Sequence, residues 1–316
     1  MHVNVTANAR LHLGFLDLNG NLGRMFGSIG LSITRLGTSL SIYRDGSGRN
    51  SAAGPAAERA LRHLDAMAGA LGLDAGFRLE IASAIPAHAG LGSGTQLALA
   101  IGAGLRCLAG VAPDTQADAL LLQRAARSGI GAALFDRGGL IVDGGQGARK
   151  GVPPVLARLE FPPEWRIVLV LDRTVQGIHG PDEARAFAAL PPFSAAASGE
   201  ICRLVLMQAL PALVERDILG FGGAITAVQA LLGDHFAPAQ GGRFTSPRVA
   251  AALAALRDAG AAGVGQSSWG PTGFAFAASE GEARRLVALP QPGVDLLVCA
   301  GLNQPAIIEK TTGETK

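Results

Sequence analysis

The stretch "FRLEIASAIPAHAGLGSGTQLALAIGAGL", Phe77 to Leu105, constrains the fold more than any other part of this chain. Phe77, Leu79 and Ile81 alternate with polar residues, the period of a half-buried strand. Pro86 closes the strand, glycines 90, 92 and 94 loosen the backbone, and an apolar run without breakers then predicts a helix. A strand leading through a glycine-rich loop into a helix presents free N–H groups and the positive end of the helix dipole, which favour an anion. Gly90, Leu91, Gly92, Ser93, Gly94 and Thr95 are therefore predicted to cradle a phosphate, with two hydroxyls as added donors. The loop lacks the lysine of a P-loop and the glycine spacing of the dinucleotide fingerprint. The plainer reading is a tightly packed turn.

The rest of the chain provides the setting. With 316 residues it can build one large domain or two modest ones. A net charge of +2 and few, scattered aromatics argue against nucleic acid. Mean hydropathy is +0.30, yet the longest apolar stretches, such as "LALAIGAGL", are shorter than a membrane span. No basic segment followed by an apolar core marks the N-terminus, so the expectation is a cytoplasmic protein acting on small molecules, without membrane or nucleic-acid partners. Cys107, Cys202 and Cys299 read as reduced core residues.

Strands are expected in "ARLHLGFLDL", "SIGLSITRLGTSLSIYR", "LIVDGG", "WRIVLVLD", "TGFAFAA" and "VDLLVCAG". Helices are expected over 56–72, 112–127, 198–217, 218–233 and 246–260, and "SGIGAALFDRGG" reads as a glycine-rich stretch. Leu204, Met207 and Leu210 recur at helical spacing and read as core. Four prolines between Gly151 and Pro163 suggest a seam, dividing the chain into 1–155 and 156–316. The class is α+β.

The segment Pro-x-x-x-Gly-Leu-Gly-Ser resembles the second motif of the GHMP kinase superfamily, and "GVGQSSWGPTGFAF" resembles its third. The resemblance implies a ribosomal S5 domain 2-like N-terminal domain and a ferredoxin-like C-terminal domain. Two kinase acids are missing. Gly131 stands where the hydroxyl-activating aspartate belongs, and Gln123 and Arg124 where a magnesium glutamate belongs. Together "ARLHLGFLDLNGNLGRMFGSIGLSI", "IPAHAGLGSGTQ", "SGIGAALFDRGGLIVDGG", "ICRLVLMQALPALVERD" and "GVGQSSWGPTGFAF" resemble the β-ribofuranosylaminobenzene 5′-phosphate synthase family, from Ala7 to about Phe276. That resemblance implies a pentosyltransferase joining phosphoribosyl pyrophosphate to 4-hydroxybenzoate or 4-aminobenzoate, with magnesium as cofactor, in a homodimer, for tetrahydromethanopterin synthesis. The alternatives are an ATP-dependent small-molecule kinase and a silent ligand-binding relative.

Such chemistry needs cations for phosphate groups, a carboxylate for magnesium and polar contacts to an aromatic acid. Arg10 and His12, two apart on the first strand, and Arg24 would bind phosphate or the benzoate carboxylate. Asp17 would hold magnesium or balance the developing ribosyl cation; otherwise it forms an Asx turn before Asn19-Gly20. Asp143 is a strand-end acid, capping or metal-binding. Gln266, Ser267 and Ser268 would meet phosphate, and Trp269 would stack on the ring or fill a domain interface. His179 and Glu183 read as a helix N-terminal loop.

Overall fold

The computed structural model describes residues 1–74, 76–177 and 180–311, leaving aside the side chains of 181–184. His179 and the Glu183 side chain lie outside the described residues.

Elements run β1 (His2–Asp17), β2 (Phe26–Arg44), β3 (Ser51–Ala53), α1 (Ala57–Ala70), β4 (Phe77–Ser83), α2 (Ser93–Ala109), α3 (Thr115–Leu121), α4 (Ile130–Arg137), β5 (Leu140–Asp143), β6 (Val155–Leu159) and β7 (Arg166–Leu171). The chain continues through α5 (Gly180–Ala189), α6 (Ala195–Leu204), a π-helical turn (Val205–Ala209), α7 (Leu210–Glu215), α8 (Ile218–Gln240), α9 (Pro247–Asp258), β8 (Gly263–Gln266), β9 (Gly273–Ala277), α10 (Glu280–Val287), β10 (Asp295–Cys299) and β11 (Ile307–Thr311).

A seven-stranded sheet runs β11-β1-β2-β4-β3, with β5 pairing β2 and β6 pairing β5. A second, four-stranded antiparallel sheet runs β10-β7-β9-β8. The cut expected between 155 and 156 falls inside β6, which belongs to the first sheet. The last strand also returns to that sheet, since β11 pairs with β1.

Burial along β1 explains where the two halves meet. From Val3 to Ala9 buried and half-buried residues alternate, so only one face is covered. From Leu11 to Phe15 every residue is buried, because helix α8 and the loop after β8 cover the second face. Gly14 makes this possible: a Cβ there would lie 2.9 Å from both Val228 and Leu232 of α8.

Helix α2 is buried from Gln96 to Gly102, which accounts for its nearly unbroken apolar run. Its glycines set close contacts. A Cβ at Gly104 would meet Ile42 at 2.7 Å, and one at Gly102 would meet the Asp118 carboxylate at 2.7 Å. Asp118 is buried and takes Arg106 Nε at 2.8 Å, clamping α3 to α2.

Four sequence expectations change. The helix expected to continue to 127 stops at Leu121, and the chain turns through left-handed Gln123 and Ala125. The glycine stretch after Ser128 contains α4, nucleated by the buried Asp143, which accepts from Gly129 N at 2.8 Å and Ser128 Oγ at 3.1 Å. Met207 is 70 % exposed and Leu204 and Leu210 only half-buried, because the π turn adds residues and rotates the apolar stripe outward. Cys202 is exposed beside them. The continuous run Ala195–Glu215 is long and apolar enough to cross a bilayer by length and composition, with 33 % of its window buried in the fold.

Asp118→Ala should leave a partly buried guanidinium without its acid and cost about 3 kcal/mol. Urea unfolding at pH 7 measures this, with an unchanged m-value expected.

Candidate functional site

Three segments that are distant in sequence meet at the phosphate cradle. The first is β1, the second the loop 86–95 that leads into α2, and the third the turn 266–272 between β8 and β9. Arg10 N donates to Leu91 O at 3.1 Å, which pins the cradle along β1. Ser267, fully buried, accepts from His12 N at 2.9 Å and donates to Gly90 O at 2.7 Å. Ser268 N adds a 3.4 Å bond to His12 O. One hydroxyl therefore ties β1, the cradle and the second half of the chain.

The cradle glycines serve different purposes. At Gly90 (φ +77) a Cβ would fall 2.1 Å from Ser267 O, so this glycine admits the neighbouring turn. Gly92 (φ +83) caps α2, and a Cβ there would meet the Arg10 side chain at 2.9 Å. Gly94 faces the Arg124 guanidinium, with Nη1 at 3.4 Å from an added Cβ. No side chain caps α2; Thr95 N turns back to Gly92 O at 3.1 Å, and the amides of Ser93 and Gly94 are the helix-end donors that an anion satisfies. The α2 entry is thus flanked by Arg10 on one side and Arg124 on the other. Leu91 itself is core, and Ser93 and Thr95 stand half-buried in the first turn.

Gly131 packs against this turn. A Cβ there would lie 2.8 Å from Thr95 Cγ2, and Gln96 Nε2 donates to Gly131 O at 3.0 Å. The space an acid would occupy is taken by the threonine methyl. Asp143, the nearest strand-end acid in sequence, is spent on structure. Its carboxylate accepts from Ser28 N, Gly129 N, Gly145 N and Ser128 Oγ, while burial pushes its pKa up.

His12 is 3 % exposed, and its Nε2 has no hydrogen-bond partner among the described residues. Burial, reinforced by the charge of Arg10, lowers its pKa to about 3, so the ring is neutral at physiological pH. It faces a cavity of about 30 Å³, room for one water, bordered by Phe15, Gln229, Phe236, Ser268 and Trp269. Trp269 is buried, with ring centroids 5.2 Å from Phe187 and 4.6 Å from Phe236. Its indole builds the aromatic wall of the domain interface. Gln266 also serves the framework: Oε1 accepts from Thr245 N at 2.7 Å and Nε2 donates to Ser268 O at 3.1 Å.

Asp17 and Arg24 lie elsewhere. Asp17 is seven residues along β1 from Arg10, roughly 20 Å at strand rise. It forms the Asx turn, accepting from Asn19 N at 2.6 Å and Gly20 N at 3.2 Å, and it takes Ser198 Oγ of α6 at 2.8 Å. Arg24 donates to Gly144 O at 2.7 Å and Gly145 O at 2.8 Å, bracing the β5–β6 loop. Among the described residues no group of three or more His, Cys, Asp or Glu could hold a metal ion.

Sequence reasoning missed Arg59 and His63 of α1, which approach Arg124 beside the cradle. They fall on an ordinary amphipathic helix, and only the tertiary fold brings them to α2.

Residues 56–139 match the model described as "GHMP kinases N terminal domain", and 209–288 match "GHMP kinases C terminal". A β-ribofuranosylphenol 5′-phosphate synthase of Methanothermobacter thermautotrophicus is 30 % identical over 97 % of this chain and 98 % of its own. One of Archaeoglobus fulgidus is 35 % identical over 71 % of this chain and 74 % of its own. The chain belongs to the β-ribofuranosylphenol 5′-phosphate synthase family. Within solved structures the Methanococcus jannaschii mevalonate kinase superposes with TM-score 0.70 at 14 % identity, covering 96 % of this chain and 99 % of that one. A homoserine kinase of Cytophaga hutchinsonii gives 0.68 at 16 % identity, covering 98 % and 97 %. This synthase-family chain therefore keeps the GHMP kinase fold.

Ser267→Ala removes both the acceptor for His12 N and the donor to Gly90 O, and should cost about 2 kcal/mol in urea unfolding. The second expectation concerns pH. Folded His12 stays neutral down to about 3, whereas the unfolded imidazole titrates near 6.5. The unfolded state binds the extra proton in that window, so stability falls as pH drops through it. Between pH 7 and pH 5 the His12 contribution is a loss of about 2 kcal/mol. His12→Asn should remove that component from the wild-type pH dependence of unfolding.

Proposed function

We propose that the chain is a pentosyltransferase that condenses phosphoribosyl pyrophosphate with 4-hydroxybenzoate. The ring carbon bearing the carboxylate bonds to ribose C1 as the C1–O bond to pyrophosphate breaks. The carboxylate then leaves as CO₂, and the electrons of that C–C bond restore the aromatic ring. The product is a C-riboside 5′-phosphate of phenol, a precursor for tetrahydromethanopterin. The relatives are named for a ribofuranosylphenol, which favours the hydroxybenzoate over 4-aminobenzoate.

One observation carries the reading: the phosphate cradle has guanidinium groups on both flanks. The sequence resemblance, which sets Gly131 where a kinase's activating aspartate belongs, supports it. Phosphoryl transfer to an alcohol relies on positioning a nucleophile and metal-bound phosphates. Departure of pyrophosphate instead builds negative charge on the leaving oxygen, which fixed cations and helix-end amides stabilise. Arg10 and the α2 amides are assigned to the donor's phosphates. Neutral His12, at the aromatic wall of Phe15, Phe236 and Trp269, is assigned to the side of the acceptor. Asp17 and Arg24 enter as residues that hold their own loops away from the cradle. Magnesium belongs to this reading as the counter-ion that the donor's diphosphate brings with it. The same reading places the enzyme in the cytoplasm as a homodimer, for which the exposed Leu206, Met207, Val214 and Leu219 offer an apolar surface.

The test follows ¹⁴CO₂ from carboxyl-labelled 4-hydroxybenzoate and 4-aminobenzoate in the presence of magnesium. Release that depends on phosphoribosyl pyrophosphate, with the hydroxy acid preferred, is the expected result. Release from neither ring, together with ADP formation from ATP and a small alcohol, would sink the proposal.

A further inference from the structure

We propose that Arg59, His63 and Arg124, gathered beside the first turn of α2, form a diphosphate-binding subsite. The ligand's identity as the donor's leaving group rests on the ribosyl-transfer reading; the subsite itself rests on the following geometry.

Arg124 reaches across the start of α2, close enough to Gly94 that any larger residue there would touch its guanidinium. Its Nη2 lies 3.3 Å from His63 Nε2. Arg59, one turn earlier on α1, is near enough to depress the pKa of both. Neither Arg59 nor Arg124 has an acidic partner among the described residues, and the buried Nε of each lacks any hydrogen-bond acceptor. The one acid of the first turn, Glu58, is occupied by Arg62 at 2.6 Å. A folded protein seldom gathers two guanidinium groups and a buried imidazole without an anion, because desolvation and mutual repulsion both oppose it. The strain is visible in the ring: burial, then Arg124, Arg59 and Arg62, push His63 down to about 4.

The backbone is bent to achieve this arrangement. Gln123 and Ala125, on either side of Arg124, sit at φ 55 and φ 65, left-handed values that cost non-glycine residues energy. Gln146 Nε2 holds the bend through Ala125 O at 3.1 Å. A cavity of about 310 Å³ opens here, lined by His63, Ala66, Leu121, Leu122, Gln123 and Arg124. That volume accommodates a diphosphate, with Arg124 and His63 on its wall; Arg59 and the first turn of α2 stand beside Arg124 without lining the cavity. Once an anion is bound, His63 gains a reason to take up a proton, which adds a third cation.

Isothermal titration of the purified protein with sodium pyrophosphate tests the subsite without turnover. Arg59→Gln and Arg124→Gln should each weaken binding by at least about tenfold. Arg62→Gln, an equal change in charge at an exposed, paired position, should change it less than about twofold. Without ligand, the Tm of Arg59→Gln and Arg124→Gln should equal or exceed wild type, since each removes an uncompensated cation. In NMR titrations the His63 ring, assigned by its loss in His63→Gln, should show a pKa raised from about 4 when pyrophosphate is added. Unchanged pyrophosphate affinity in both arginine variants, or a His63 ring that ignores pyrophosphate, would overturn the subsite. Competition then separates the sources of the diphosphate. Displacement of pyrophosphate by phosphoribosyl pyrophosphate more readily than by ADP supports the ribosyl donor. Tighter ADP binding through the same arginines upholds the subsite and overturns the donor as its source. Donor-dependent CO₂ release alongside arginine-independent pyrophosphate binding would leave the ribosyl-transfer reading standing and the subsite refuted.

Discussion

Everything at the cradle depends on one buried hydroxyl. Ser267 accepts from the first strand and donates to the phosphate loop, while itself belonging to the turn of the second sheet's β8-β9 hairpin. A serine with both roles filled is worth more than either bond, because losing it strands two buried backbone groups at once. The arrangement also requires Gly90, whose missing side chain admits the carbonyl of Ser267. The loop's position is therefore set by the second half of the chain, and the site exists only where the two halves are docked.

On that frame the electrostatics are lopsided. Acids are used internally: Asp143 holds the start of α4, Asp118 holds α3, and Asp17, farther along β1, closes its own turn. The cations are left facing the anion-binding end of α2. The imbalance suits a reaction in which a doubly charged group departs, and it suits poorly one that needs a base for an alcohol. Neutral His12 contributes to the same logic from within the aromatic wall. Its burial removes one positive charge that would otherwise sit beside Arg10.

Much of this was legible along the chain. Strand, glycine loop and helix were legible because side-chain period and backbone freedom are local properties. The reasons behind individual glycines were not. Gly90, read along the chain as serving a ligand, also gives room to Ser267, nearly two hundred residues away in sequence. Met207 kept its helical spacing on paper, but a π turn altered the period by which spacing is judged. Arg59 and His63 gave no signal, since an arginine and a histidine one turn apart on an amphipathic helix are ordinary.

The amino-acid order by itself therefore determined the sheet-and-helix class and the glycine-rich loop between β4 and α2, both of which rest on short-range backbone chemistry. The tertiary structure alone decided which cations face that loop, which serines are framework rather than ligand contacts, and that His12 is neutral. Those properties arise from distances between remote segments and from burial, and neither is set until the two sheets pack against α8 and β1.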